Sequence, residues 1–407
     1  MTRIARNLRR AAATLVATSV GVGAASTAFT ASAAPLPTFP IGAPEYTVEV
    51  NTPAAAPGYI YYSNGVSAAA LVPGAGKALS AVPATAPANI VVDKAGHEVW
   101  RYTPPAGQDV SNFRTQTYQG KRVLTWWQGG TVGGHGSGAD YIADEHGNVI
   151  ETLDAGGTPS DVHEFRLTPD GRALITSYQE VDADLSAIGG PENGTMYDTV
   201  ATVVDVASKR VLLRWSAAEH VPLTDTTTPG KLPGSDTYDP YHMNSIALDP
   251  DGNLVISMRD TSTVYDVDIH TGAINWQLGG LHSTFDLGPG VAFAFQHDAE
   301  FADPSTLRLF NNNSSGFQTL GVSSVQWIHL DLDNHRATLV RNQTHPDGLT
   351  AFAMGDAQPL PNGNTLVGWG MAPHISEFDP TGDMVYDALL PLGTYRAFPA
   401  DWAPTPK

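Results

Sequence analysis

Three histidines stand at matching places along the chain. His163 lies 11 residues before Leu174, His242 lies 12 before Leu254, and His297 lies 10 before Leu307. Each leucine falls in the second strand expected of a short hairpin, so each histidine opens the first strand of its own hairpin. A lone histidine reads as a strand cap or a core filler. Three in one register point to a shared site. Asn244 follows His242 by two and faces the same side of its strand. Arg259 ends the paired strand LVISMRD, and it serves either the same site or an ion pair with Asp260 or Asp298. Trp126 and Trp127 end the corresponding strand of an earlier repeat, and Trp369 ends that of the last. They read either as aromatic walls for a ring-shaped substrate or as packing between repeats.

Several chemistries suit three imidazoles, a guanidinium and an amide. Imidazole is a nucleophile toward sulfuryl and phosphoryl groups, with the other cations neutralising oxygens as charge moves. Three imidazoles also hold metals, but a guanidinium beside a metal cation is unfavourable and no HExxH motif is present; no metal is expected. Acid–base work on a polysaccharide is a third reading, and a polar recognition surface is a fourth. The segment GGTVGGHGSG (129–138) reads as a flexible loop, a candidate lid, and without GK[ST] it is no phosphate-binding P-loop.

The elements that must position these residues repeat. An aspartate, a short turn and an apolar strand recur six times, at Asp93, Asp144, Asp205, Asp268, Asp331 and Asp379, mostly after another apolar run. Each copy is a hairpin, and its Asp and Gly residues shape the turn. A second hairpin alternates with the first at 161–178, 241–260, 295–313 and 354–371, with a weaker copy at 112–129. Two hairpins make a four-stranded unit, and such units around a ring make an all-β, six-bladed propeller. The first blade is expected to be completed by C-terminal residues near Tyr386–Phe398.

Composition agrees with this class. Among 407 residues there are 40 Gly and 30 Pro, which suits a turn-rich chain rather than long helices. The net charge of −19 argues against nucleic acid or an anionic membrane as partner. There is no cysteine, which excludes disulfides, thiol nucleophiles, cysteine zinc sites and iron–sulfur clusters. Residues 1–33 carry four arginines, an apolar small-residue run and Ala31-Ser32-Ala33, the pattern of a secretory signal peptide. Secretion is expected, with no membrane association after cleavage. Residues 34–88 then read as a short N-terminal β extension and linker, 89–398 as the propeller, and 399–407 as a tail.

The ordered motifs DVHEF, YHMNSI, SMRD, LGPGVAFAFQHDAEF and MGDAQ-LPNGN resemble the arylsulfotransferase family, most of all its secreted actinobacterial branch, from about residue 57 to 398. The resemblance implies transfer of a sulfuryl group from a phenolic sulfate ester to a phenol acceptor, ping-pong through a sulfohistidine, with no nucleotide sulfate donor and no cofactor. It implies His297 as nucleophile, His163 and His242 as its supporting histidines, Arg259 as the sulfate-binding arginine, and Asn244 as the asparagine beside the middle histidine. Enterobacterial members carry an N-terminal β-sandwich that helps them dimerise, and a disulfide. Residues 34–88 are too short for that domain, so dimerisation does not carry over, and the disulfide has no counterpart. A secreted carbohydrate-directed or ligand-binding propeller remains the alternative.

Overall fold

The computed structural model describes residues 46–64, 86–228, 237–316 and 318–405. The expected signal segment, and residues 34–45 and 65–85 of the expected linker, lie outside the described residues. Among the described residues, helix is confined to Ala217–His220 and two three-residue 3-10 turns, Ser186–Ile188 and Leu223–Asp225. None of these is long and apolar enough to cross a membrane.

The strands form six blades, a β-propeller; four blades have four paired strands, and blades five and six carry a fifth on the outer edge. The inner strands are Ala397–Ala400 in blade one, Asp109–Tyr118 in two, Phe165–Leu167 in three, Met243–Leu248 in four, His297–Asp303 in five and Asp356–Pro359 in six. The repeated aspartate sits between the third and fourth strand of every blade. Its Oδ1 accepts backbone N–H groups two to four residues on: Ala95 and His97 for Asp93, His146 and Asn148 for Asp144, Ser208 for Asp205, His270 and Thr271 for Asp268, Asn334 for Asp331, Thr381 and Asp383 for Asp379. A side chain that mimics a backbone turn in this way reverses the chain six times with one residue type.

Strand faces alternate, and each blade buries both on its neighbours. Leu174 and Val203 of blade three meet Ile246, Leu254 and Ile256 of blade four. Val255, Val264 and Leu278 of blade four meet Leu307, Leu309 and Ile328 of blade five. At roughly 1.5–3 kcal/mol per fully buried aliphatic side chain, these interfaces make the starts of the inner strands a fixed frame.

The ring closes twice. Ala397–Ala400 pairs with Tyr59–Ser63 in blade one, and Thr47–Asn51 pairs with Met384–Leu389 on the outer edge of blade six. Both strands of the N-terminal extension are therefore blade strands, and the propeller reaches back before residue 89 and forward to Ala400. Tyr386 belongs to blade six, so closure falls at Ala397–Ala400 rather than across Tyr386–Phe398. The reason is that a blade lacking one strand leaves an open edge of N–H and C=O groups, and both chain ends are drawn in to pair it. The glycine-rich segment 129–138 is not a loop either. Lys121–Val132 and His135–Ala143 pair through it in continuous register, with only Gly133 and Gly134 at the turn.

Candidate active site

At one end of the propeller, each blade contributes a residue at or near the start of its inner strand: Asn112, four residues into Asp109–Tyr118, then His163, His242, His297, Met354 and Tyr395. Three asparagines tie neighbouring entrances together. The Asn112 amide donates to the Val162 and His163 carbonyls at 2.9 and 2.8 Å. The Asn244 amide donates to the Gln296 carbonyl at 2.7 Å. The Asn312 amide donates to the Ala351 and Met354 carbonyls, both at 2.8 Å. Asn112, His242, Phe295 and Met354 all take positive φ, from 53° to 66°. Such strain is tolerated where the surroundings over-determine the backbone.

His297 is 2 % exposed. Its Nδ1 meets two acceptors, Asn312 Oδ1 at 2.7 Å and the Phe295 carbonyl at 3.0 Å. Because the Asn312 amide is committed to two carbonyls, Oδ1 must face the ring, and Nδ1 must carry the proton. The lone pair therefore lies on Nε2, where it accepts the Met354 N–H at 3.2 Å. Burial lowers the His297 pKa well below the ordinary imidazole value; the Asn312 bond opposes this, and the charges of Arg259, His163 and Arg396 add to it.

His163 and His242 meet edge to face, with ring centroids 4.8 Å apart, and the Tyr395 ring lies 5.5 Å from His163 and 6.4 Å from His297. Each of the first two histidines donates through Nδ1 to a carboxylate, Asp161 for His163 and Asp239 for His242. Nε2 of His163 makes no hydrogen bond among the described residues. His242 Nε2 accepts Arg259 Nη1 at 3.0 Å. Burial and then the Arg259 charge hold His242 neutral, its pKa well below the usual value. Arg259 Nε donates to Asp260 at 2.6 Å, so the same guanidinium spans that carboxylate and the His242 ring. Its Nη2 makes no hydrogen bond among the described residues.

A fourth histidine escaped sequence reasoning. His135, on the blade-two hairpin, reaches Asp239 through Nε2 at 2.9 Å and lies between the Tyr178 and Tyr197 rings, at 4.5 and 4.3 Å. Asp239 thus holds two imidazoles. Burial would raise its carboxyl, but His242 and His135 outweigh that and hold it well below the carboxylate range. Its signal was faint: an Asp two or three residues before His163 and His242 is visible in DVH and DPYH, whereas His135 has no register partner. Asn312 and Tyr395 carried no signal beyond lying at blade entrances.

Behind His297 the inner strands bury a network of charges. Arg396 pairs with Glu164 at 2.8 Å and with Asp298 at 3.5 Å. Arg114 pairs with the other Glu164 oxygen at 2.8 Å, and Arg166 with Glu300 at 2.8 Å. Asp356, whose pKa burial and then Asp298 raise well above the ordinary carboxylate value, lies beside this network. A net-acidic chain thereby keeps cationic side chains beneath and beside its histidines.

Of the expected residues, His163, His242, Arg259 and His297 converge here. Asn244 lies among them but spends its amide on Gln296, and its Oδ1 is buried without a partner among the described residues. Trp127 packs with Val162, Met354 and Tyr395 at the edge of the site. Trp126 and Trp369 do not line it. Trp126 stacks on Tyr141 with centroids 5.3 Å apart, and Trp369 packs on Phe310 and Phe378. Both are fully buried, because the strand positions they occupy face the neighbouring blade. A separate cavity of about 420 Å³, at the tip of the blade-three hairpin, is lined by Asp182, Asp184 and Glu192 and repels anions.

A family model described as arylsulfotransferase (ASST) matches residues 114–390. No curated protein matches the chain. Among solved structures, a Bacteroides caccae protein of unknown function is 14 % identical, with a TM-score of 0.48, over 85 % of this chain and 100 % of that one. A Lactobacillus plantarum protein is also 14 % identical, with a TM-score of 0.44, over 81 % of each chain.

Proposed function

The chain belongs to the arylsulfotransferase (ASST) family, and on that premise we propose that it moves a sulfuryl group from a phenolic sulfate ester to a phenol by way of a sulfohistidine at His297. The observation that carries this reading is the Nδ1 of His297, pinned by two acceptors, which leaves its lone pair on Nε2, with the charges of Arg259 and Arg396 acting on the ring. Burial keeps that imidazole neutral and therefore nucleophilic at neutral pH.

An aryl sulfate arriving from solvent meets Arg259 first, whose side chain is 17 % exposed and whose Nη2 is uncommitted. As the Met354 N–H turns from His297 Nε2 to a sulfuryl oxygen, the freed lone pair attacks sulfur; the N–S bond forms as the S–O(aryl) bond breaks. The leaving oxygen takes the Nε2 proton of His163, which enters the step as the imidazolium, its other proton staying on Nδ1 against Asp161. In the second half a phenol gives its proton back to His163, attacks the sulfuryl group and restores His297. Arg259 and the Met354 N–H offset charge on the sulfuryl oxygens. His242, neutral and held by Asp239, orients Arg259; Asn244 and Asn312 are positioning residues. Export is part of the proposal and is supported by the signal-peptide pattern of residues 1–33.

The test is intact mass after brief mixing with an aryl sulfate and no acceptor, at neutral to mildly alkaline pH, followed by peptide mapping. One sulfuryl group on His297, absent in His297→Asn and discharged by phenol, is expected. No adduct, with no phenol release even when acceptor is present, overturns the proposal in favour of a carbohydrate-directed or binding propeller.

A further inference from the structure

Away from the channel, between the outer parts of blades five and six, His345, His374 and Asp387 come together. His345 follows the last strand of blade five, Arg336–Thr344, and His374 and Asp387 lie on the outer strands of blade six. Their ligand atoms all fall within 4.8 Å of one another. His374 Nδ1 is 3.0 Å from Asp387 Oδ2, and His345 Nε2 is 3.6 Å from Asp387 Oδ1. Each imidazole faces its own oxygen of the one carboxylate, at a separation close to the edge of about 3.3 Å of a tetrahedron with metal–ligand bonds of about 2.0–2.1 Å. The two imidazole rings are 5.0 Å apart, centroid to centroid.

A second observation points into the same space. The His345 side chain is fully buried, yet its Nε2 has no hydrogen-bond partner among the described residues. A buried polar nitrogen left this way costs free energy unless something else occupies the position. The carboxylate it faces is fixed from behind: Ser376 Oγ donates to Asp387 Oδ1 at 2.6 Å and itself accepts Trp369 Nε1 at 2.9 Å. Such outer bonds orient ligands in metal sites.

We propose that His345, His374 and Asp387 bind one divalent transition-metal ion of the zinc class, bridging blades five and six. Two imidazoles and one carboxylate select zinc-like ions over calcium or magnesium, which prefer all-oxygen sites. His374, the partly exposed ligand, leaves a fourth position open to water. On loading, each ring moves one proton to its other nitrogen, so neither ring changes charge. His345 Nδ1, which now accepts the Asp347 N–H at 3.1 Å, then donates to the Asp347 carboxylate 3.8 Å away. Asp347 is exposed, so its amide turns to water. The grouping of His135, Asp239 and His242 in the active site is different, because Arg259 already lies against His242 there.

The full-length chain is stripped with chelator and titrated with zinc, and separately with cobalt(II). Expected are one equivalent of zinc retained after dialysis, an intense visible cobalt spectrum of tetrahedral type, and a rise in thermal midpoint with metal. His374→Gln and Asp387→Asn lose the equivalent, whereas His135→Gln keeps it. No retained zinc, a faint octahedral cobalt spectrum, or loss of metal in His135→Gln but not in His374→Gln overturns the proposal. The cobalt spectrum needs only the wild-type chain, so a variant that fails to fold leaves that test standing.

Discussion

His297 Nδ1 lies 2.7 Å from Asn312 Oδ1, and that contact fixes which ring nitrogen keeps its lone pair. Asn312 cannot turn its amide over, because both amide protons are engaged by the Ala351 and Met354 carbonyls. One residue therefore selects the tautomer of blade five's histidine and anchors the loop entering blade six.

Asn312→Ala removes the acceptor and leaves those two carbonyls without their donor. We expect kcat for aryl sulfate to fall about 10–100-fold with little change in KM, since an imidazole freed to adopt the other tautomer is no longer presented correctly. Unfolding free energy should fall by about 1–3 kcal/mol. Asn312→Asp should restore the acceptor but move the acid limb of kcat/KM to higher pH, because a carboxylate favours the imidazolium. An unchanged pH profile in that variant would refute the tautomer argument.

His297→Asn should retain the fold and lose at least ~10³-fold in kcat/KM, as expected when a covalent nucleophile is removed. Circular dichroism and steady-state assay together check it. Activity within tenfold of wild type would remove His297 from the chemistry.

Arg259→Lys keeps a charge but loses the fork that engages Asp260 and His242 while leaving Nη2 over. A loss of about 10²–10³ in kcat/KM is expected. In Arg259→Met, His242 should titrate at higher pH than in wild type, because the guanidinium is the largest nearby charge holding it down. NMR titration of the His242 ring reads this directly.

Burial depresses the pKa of both His242 and His297. In the unfolded chain each would take up a proton near pH ~6.5. Their stabilising contribution is therefore present above about pH 6.5 and is lost as pH falls from there toward the depressed folded values. Buried carboxyls oppose this: burial raises Asp266 to about 7 and Asp260 to about 6, which favours the fold at acid pH. The histidine contribution is read as a difference. Between pH 7.5 and 5.5, the urea midpoint of wild type should fall relative to that of His297→Asn, and parallel curves would contradict it.

Glu164 lies between Arg396 and Arg114, and Glu164→Gln strips Arg114 of its paired carboxylate and leaves Arg396 with Asp298 at 3.5 Å. Loss of one member of a fully buried ion network costs about 3–5 kcal/mol. Chemical denaturation should show a lowered midpoint with unchanged slope. A loss below ~1 kcal/mol would mean that Asp298 alone suffices for Arg396.

The repeating aspartate turns and paired hairpins were sufficient to derive six blades, because a turn made by a side chain on its own backbone is local and survives in the linear pattern. The common register of His163, His242 and His297 was legible for the same reason: equivalent strand positions in a ring point at one axis. What lay beyond sequence was whatever depends on neighbours from other blades. The sequence reads all three tryptophans at strand ends, whereas Trp126 and Trp127 lie within Lys121–Val132 and Trp369 just after Thr365–Gly368, and of the three only Trp127 packs at the site, since the twist and packing of each blade decide which face meets the next. His135 joins the cluster because a long hairpin of blade two reaches Asp239 of the loop entering blade four, a contact with no periodicity to announce it. The closing strand is Ala397–Ala400 because the open edge of blade one could be paired only by a segment that the completed ring brings beside it.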